Sequence, residues 1–542
     1  MKRYLVTAAL PYANGPLHLG HLRSTYFPGD IYSKYLRMFG EDVLYISATD
    51  EHGTPIIINS EKNNKSPKEF VDYYHDYDKE MFKRINIEFD SFYRSSSKEN
   101  IELSQHFFNL MKKNGYIYTK EIEQLFCKKC ERPLPDRLVK GSCPYCGEVE
   151  QYGDSCEVCG RVIKVEELIN PYCSICKTPP VKKPSVHYFF KLNEFSEKLE
   201  KWLKENKNLQ SDVKNYVLSW IKSGLNEWDI TRDLDWGVRV PGEDNLVFYV
   251  WFDAPITYVS STIHKTKEWE KYWKSKDSQI VHFIGKDISY HHYLFWPAML
   301  MSVDDGYNLP HSIPVRGYLN LQGKKFSKSK GWYVSIEEFL EHFPSDYLRY
   351  YITALTPHSS TDADFYWKDF MSKINNELVA NVGNFLYRTL SMSKKHFPEI
   401  IPDSEVDTEM IEKINETSKK VEKLVREYKI KEAMEVILAL SSKFNSYLSL
   451  NEPWKKEGGE KTKILLTSLY GVHAISVLMY PYLPEITIEL RKSLGLENKP
   501  MFNELGETLI DNKIIKLGKV KPLFSKIDPE IIEKMENKLK GV

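Results

Sequence analysis

The chain has 542 residues, enough for about three or four domains. With 42% hydrophobic and 28% charged residues, its composition is that of an ordinary soluble globular protein. Its 75 basic residues balance 75 acidic ones. That excludes a global electrostatic footprint for a nucleic-acid binder, so any polyanion must be met by local patches.

Met1-Lys2-Arg3 followed by the apolar run Tyr4 to Leu10 mimics a signal peptide. The run is short, ends in a turn and lacks a small-residue cleavage site, so it reads as a first core strand. Residues 11–21 follow: Pro-Tyr-Ala-Asn-Gly-Pro-Leu-His-Leu-Gly-His. Asn14-Gly15-Pro16 is strong turn punctuation. Helical periodicity then runs from about Leu22 to Met38. This is a strand-to-helix turn at the first crossover of an α/β sheet, where ligands bind outside the carboxyl ends of parallel strands. His18 and His21 fall in the first helical turn, where backbone N–H groups and the helix dipole favour an anion. Two histidines there can donate hydrogen bonds to phosphate oxygens whose charge grows in a transition state. Gly20 leaves the backbone bare for a flat group such as a nucleobase.

Asp42 to Ala48 reads as a second strand, ending in the polar loop Thr49-Asp50-Glu51-His52-Gly53-Thr54-Pro55. Asp50 suits a cationic amine held by a charge-assisted bond. An ordinary N-cap or loop aspartate fits the loop equally well. Residues 56–115 read as mostly helical. The composition then breaks. All eight cysteines fall in four Cys-x-x-Cys knuckles: Cys127/Cys130, Cys143/Cys146, Cys156/Cys159 and Cys173/Cys176. Two such turns complete a tetrahedral thiolate site for Zn²⁺. One or two ions are expected. They are structural, because a four-thiolate site leaves no position for water. The short gap from Cys146 to Cys156 suggests a closed inner unit, with Cys127/Cys130 meeting Cys173/Cys176 around it. Sequential pairing is the rival. With no cysteine left for disulfides, a reducing cytoplasm is expected.

Val186 to Phe190 reads as a strand and residues 193–227 as amphipathic helices. Leu246 to Phe252 reads as a strand ending in Asp253-Ala254-Pro255. Ile280 to Ile284 is another, ending in Gly285-Lys286-Asp287. Ile288, His292 and Phe295 follow at i, i+4 and i+7 on one helical face. With Trp251 and Tyr258 they could line one apolar cavity, although core packing explains most aromatic stripes. Gly323-Lys324-Lys325-Phe326-Ser327-Lys328-Ser329-Lys330 is a basic loop suited to close on a polyphosphate. Residues 366–530 are rich in helical pattern. Ile430, Met434, Ile437, Phe444 and Leu448 keep to one face of an antiparallel bundle. Ile464 to Pro484 has no charged residue over 21 positions, a length that could span a bilayer. Its polar residues and prolines favour a buried bundle helix instead.

Together these segments resemble the class I aminoacyl-tRNA synthetases. His18-Leu19-Gly20-His21 is similar to their HIGH signature, and Lys325-Phe326-Ser327-Lys328-Ser329 to KMSKS, with Phe326 in place of Met. Within the class, the resemblance is to the methionyl-tRNA synthetase family, in its archaeal and eukaryotic branch with four knuckles. It rests on Leu10 to Gly15, Asp50 to Pro55, Trp251 to Pro255, Phe283 to Asp287 and the cysteine insertion, and covers nearly the whole chain. It implies activation of L-methionine by ATP, with Mg²⁺, and transfer to tRNA(Met). By the same resemblance, Leu10, Tyr12, Trp251, Ala254, Pro255, Tyr258, Ile288, His292 and Phe295 match the methionine pocket, and Asp50 the carboxylate for its amine. His18, Gly20, His21, Gly285, Asp287, Lys325 and Lys328 match ATP-binding positions, with His18, His21, Lys325 and Lys328 catalytic. Asn384, Arg388, Pro453 and Trp454 match anticodon contacts, and an Arg, an Asn and an exposed Trp can bond to and stack on unpaired bases.

The implied fold is a Rossmann-like parallel-sheet catalytic domain split by a zinc-knuckle insertion and followed by an α-helical bundle. The expected division is 1–116 and 236–322 for the two catalytic halves and 117–235 for the insertion. The mobile lysine loop and stem-contact region take 323–365, the anticodon-binding bundle 366–530 and a tail 531–542. No appended tRNA-binding barrel is evident, which implies a monomer, with a separate tRNA-binding protein as a possible partner; no membrane association is expected. A class I enzyme for another amino acid and a non-catalytic tRNA-binding paralogue are the rival readings.

Overall fold

The run Tyr4–Val6 is buried on both faces, as a central parallel strand must be. In the computed structural model it lies in β1 (Arg3–Ala8), the middle of a five-stranded parallel sheet. The structure describes residues 2–540 apart from 154, 155, 157, 159, 160, 162, 164 and 328–330. The other strands are β2 (Asp42–Thr49), β3 (Ser91–Arg94), β6 (Ser278–Gly285) and β7 (Val315–Arg316), ordered β7-β6-β1-β2-β3. Register pairs Leu5 with Ile280 on one side and Leu44 on the other. The chain winds outward from β1 to β3, then returns to β6 on the opposite side. The crevice at the carboxyl ends of β1 and β6 is therefore the switch point where such sheets bind ligands.

Between β3 and β6 the chain departs into a second body. Strands β4 (Ile117–Cys127) and β5 (Val181–Phe190) form a long antiparallel arm, with Ile117 opposite Phe190 and Phe126 opposite Val181. The described knuckle cysteines sit at its tip, around a small core that includes Leu125, Leu134, Leu138 and Val139.

Two segments differ from the sequence reading. The four-residue strand β3 was hidden in a stretch read as helical. The run Leu246 to Phe252 is a strand only over Leu246–Phe248; Val250–Lys265 is an α-helix with Pro255 inside it. Short apolar runs do not separate a buried strand from a buried helix. Here the apolar stretch continues through Ile256 and Val259 and is long enough to complete a helix whose middle is buried all round. Two π-helical turns, Leu22–Tyr26 and His291–Phe295, flank the switch point. The second means that Ile288, His292 and Phe295 do not follow ordinary α-helical spacing.

The carboxyl-terminal part is helical: α1 (Asn384–His396), α2 (Thr408–Arg426), α3 (Ile430–Asn451) and α4 (Gly458–Leu478). All five stripe residues of α3, Ile430 to Leu448, are buried. Helix α4 is buried nearly all round, as expected for the uncharged stretch Ile464 to Pro484. Among the described residues, no helix is long and apolar enough to cross a membrane. Bundle and sheet share one continuous core. Buried Asp30 bonds Lys34 and Arg349, and Arg349 also donates to the Pro481 and Tyr482 carbonyls, tying the two parts together.

Candidate active site

The loop after β1 sets one end of the crevice. Nδ1 of His18 accepts from the Gly20 N–H at 3.1 Å, and Nδ1 of His21 accepts from the His18 N–H at 3.0 Å. Each neutral ring therefore carries its proton on Nε2, so both histidines are Nε2–H donors. Their rings stack at 3.8 Å. Gly20 is required here: a Cβ would meet the His18 ring at 2.9 Å and the Phe326 ring at 3.2 Å. The flat groups over Gly20 are thus protein side chains, not the open face its sequence suggested. Lys324–Lys325 pairs with Leu319–Leu321 as a hairpin, and its turn at Gln322 and Gly323 has positive φ at both residues. It carries Phe326 onto His18 with rings parallel at 4.8 Å. Leu19 N–H donates to the Val334 carbonyl, so the basic loop is docked on the signature turn from both sides. Lys325 is exposed, whereas Lys328 lies outside the described residues. Across the crevice Gly285 closes β6, and Asp287 is exposed two residues on.

At the other end lies a cluster of acids. Glu51 is bonded by Arg94 at 2.8 and 3.1 Å and by Ser96. Asp253, on the helix Val250–Lys265, is held by His52 Nδ1 at 2.7 Å. Asp50 is buried, and no hydrogen bond reaches its buried Oδ1. Burial first, then the charges of Asp253 and Glu51, raise its pKa well above the usual carboxylate range. Two of the three acids have cationic or imidazole partners; Asp50 is the one whose charge a ligand would have to balance.

Around Asp50 lie aromatic side chains. Its backbone bridges that of Tyr12, and the Tyr12 hydroxyl donates to the His52 carbonyl. His292 Nδ1–H donates to the Ile288 carbonyl at 3.1 Å, so its Nε2 accepts from the Tyr258 hydroxyl at 3.0 Å. Burial pushes His292 down to about 4, keeping it neutral. Trp251 stacks on His291 at 3.8 Å, His291 lies 5.4 Å from Phe295, and Phe295 stacks on Trp228 at 3.6 Å. Tyr12, Trp251 and Trp236 line one cavity of about 230 Å³. Leu10 and Ile288 are half-buried, packed against the core on this side of the sheet; Ala254 and Pro255 are buried on the helix beside Asp253. His291, Trp228, Trp236 and the His52–Asp253 pair were not singled out from sequence. His291 lay next to a chosen residue, but a π-turn shifts which neighbours share a face.

Residues 4–390 match the family described as tRNA synthetases class I (M), and residues 407–536 match the anticodon-binding domain of tRNA ligase. A methionine–tRNA ligase of Methanopyrus kandleri is 45% identical over 98% of this chain and 81% of its own length. One of Methanocaldococcus jannaschii is 46% identical over 99% and 81%. The chain belongs to the methionine–tRNA ligase family. Among solved structures, a Mycobacterium tuberculosis methionyl-tRNA synthetase in complex with methionyl-adenylate superposes with a TM-score of 0.80 at 25% identity. The match covers 97% of this chain and 100% of that one.

The family's insertion and bundle carry the remaining candidates. Cys127, Cys130, Cys173 and Cys176 converge, their sulfurs all within 4.8 Å of one another; Cys127–Cys176 is 3.4 Å and Cys130–Cys173 3.9 Å. A tetrahedral Zn²⁺ thiolate site needs sulfur separations of about 3.8 Å, so these four fit a metal. Cys143, Cys146 and Cys156 form a second group; Cys159 lies outside the described residues. The pairing is the nested one. In the bundle, Asn384 and Arg388 open α1, and the Arg388 guanidinium lies 5.4 Å from the ring of Trp454. Trp454 is 48% exposed and follows buried Pro453 in a short turn after α3.

Proposed function

We propose that this crevice activates L-methionine with ATP and then transfers the methionyl group to tRNA(Met). The observation that carries the reading is Asp50, a buried carboxylate with one oxygen unbonded beside an aromatic pocket. It would take the α-ammonium of the amino acid. Tyr12, Trp251, Tyr258, His292 and Phe295, with Leu10, Ala254, Pro255 and Ile288, would enclose its side chain. An aromatic surround suits a flexible, polarizable thioether.

The methionine carboxylate is itself the nucleophile. It forms a bond to the α-phosphorus of ATP as the bond to pyrophosphate breaks, so no protein base is needed. Catalysis is then positioning and charge stabilisation. The Nε2–H groups of His18 and His21 would donate to phosphate oxygens beside Gly20. Lys325 and Lys328 would neutralise the leaving pyrophosphate, and Gly285 and Asp287 would hold the ribose. Mg²⁺ bound with ATP would neutralise phosphate charge. In the second step a hydroxyl of the terminal tRNA ribose attacks the methionyl carbonyl and AMP leaves. Asn384, Arg388, Pro453 and Trp454 would read the anticodon. Zn²⁺ on the nested knuckles would hold the insertion's fold and take no part in the reaction. A cytoplasmic site of action and a separate tRNA-binding protein complete the reading.

Asp50→Asn tests it. Methionine-dependent ATP–pyrophosphate exchange should fall at least a hundredfold, chiefly through methionine binding, because a charge-assisted buried contact is lost. Exchange with an unchanged KM for methionine would refute the assignment.

A further inference from the structure

Arg23 lies two residues beyond His21, in the π-helical turn Leu22–Tyr26, and is fully buried. Its guanidinium meets carbonyl oxygens from three other stretches of chain. Nε donates to Leu355 at 3.1 Å, and Nη1 is shared among Gly317 at 2.7 Å, Tyr318 at 3.0 Å and Thr361 at 3.1 Å. Leu355 caps the carboxyl end of the helix Ser345–Ala354, where a cation is favoured. The carboxylate whose charge acts on Arg23 is Asp362, and its Oδ1 already accepts from the Tyr318 N–H at 2.8 Å and from Lys286 Nζ at 2.7 Å. A buried charge is costly unless it is hydrogen-bonded. Here the bonds go to backbone carbonyls and not to a carboxylate, so Arg23 fixes main chain.

That main chain is the root of the lysine hairpin. Gly317 and Tyr318 lead from β7 into Leu319–Leu321, which pairs in parallel with Ala363–Phe365, just beyond Thr361. The two stretches enter at close approach: a Cβ on Gly317 would meet the Thr361 carbonyl oxygen at 2.3 Å. Arg23 donates to both sides of that approach. We propose that Arg23 is a positioning residue for adenylate formation: it fixes the root of the lysine hairpin to the turn that carries His18 and His21, so that the loop brings its lysines to the phosphates from a set base. This rests on the reading that Lys325 and Lys328 neutralise the leaving pyrophosphate. A root free to shift would misplace both lysines, and a displacement of about 1 Å can cost about a hundredfold in rate. Methionine, on the same reading, is held around Asp50, to which Arg23 makes no hydrogen bond.

The test is single-turnover adenylate formation at saturating ATP and methionine, beside equilibrium dialysis of methionine alone. It compares the wild type, Arg23→Lys, Gly317→Ala and the double variant Lys325→Ala/Lys328→Ala. Arg23→Lys keeps the charge but loses the planar fork that reaches several carbonyls at once. Gly317→Ala leaves Arg23 in place and forces the two stretches apart at the root. Each should slow adenylate formation by about ten- to a hundredfold, while methionine binds as tightly as to the wild type. Added to the double lysine variant, Arg23→Lys should cost almost nothing more, because a residue that acts through the loop then has nothing to position. The same fold-loss in both backgrounds would overturn the proposal. So would loss of methionine binding in both Arg23→Lys and Gly317→Ala, which would make the contact a support of the whole fold. If removing the two lysines slows the reaction but neither Arg23→Lys nor Gly317→Ala does, the positioning role falls and the reading of the loop stands. If removing the two lysines leaves the rate unchanged, both fall.

Discussion

Phe326 occupies the position where the lysine signature differs from its usual methionine, and its surroundings explain why the change is tolerated. Its ring lies flat against His18, which in turn covers Gly20. The residue is a lid on His18, the histidine proposed to bind phosphate, a task any flat or pliable apolar side chain can perform. Phe326→Ala should remove one aromatic contact, worth roughly 0.5–1.5 kcal/mol. Exchange should slow by about two- to thirteenfold, while Phe326→Met restores it. Pre-steady-state adenylate formation checks this, and an alanine variant with the wild-type rate would mean the stack is incidental. At this scale the sequence was partly legible. His18, His21 and Asp50 could be chosen because their motifs sit at strand ends. The stack of Phe326 on His18 and the pairing of His52 with Asp253 could not. They join residues hundreds of positions apart, and no local pattern encodes such contacts.

The insertion's root shows how its own strands are held together. His187 on β5 is buried between Asp229, 2.8 Å from Nδ1, and Asp233, 3.1 Å from Nε2. Burial opposes the charged ring, but the bonds to Asp229 and Asp233 outweigh it, and the pKa is pushed up to about 9. The same contacts hold Asp233 below the usual carboxylate range, against burial. A raised histidine pKa stabilises the fold fully below the unfolded value of about 6.5, and that contribution is lost as pH rises through about 9. With the aspartates partly exposed, the term is about 2–3 kcal/mol. His187→Gln should therefore be markedly less stable than wild type at pH 6. The two should converge by pH 10, as read from denaturant midpoints. A pH-independent difference would show that the ring is neutral. The apolar stripe of α3 was readable in sequence, as was the Val186 to Phe190 half of β5. The helix Val250–Lys265 was not, because the beginning of a buried helix and a buried strand share one apolar signature.

Across the whole molecule, the proposed reading puts the chemistry at the sheet and tRNA selection on the bundle. The buried cluster of Asp30, Lys34 and Arg349 keeps bundle and sheet in fixed relation. Trp454 and Arg388 lie on the bundle, not among the crevice residues that meet Asp50 and His18. Trp454→Ala should thus leave ATP–pyrophosphate exchange intact and lower tRNA charging by about five- to a hundredfold, the worth of one stacked base. Equal losses in both assays would mean that the residue supports the fold.

The central claim is that the crevice at β1 and β6 selects and activates methionine. It is tested most directly by ATP–pyrophosphate exchange with the metal-loaded protein against each of the 20 amino acids. Exchange dependent on methionine alone is the predicted result. Exchange driven by another amino acid would overturn the pocket assigned around Asp50. No exchange with any of them would contradict a catalytic role for His18, His21 and Lys325.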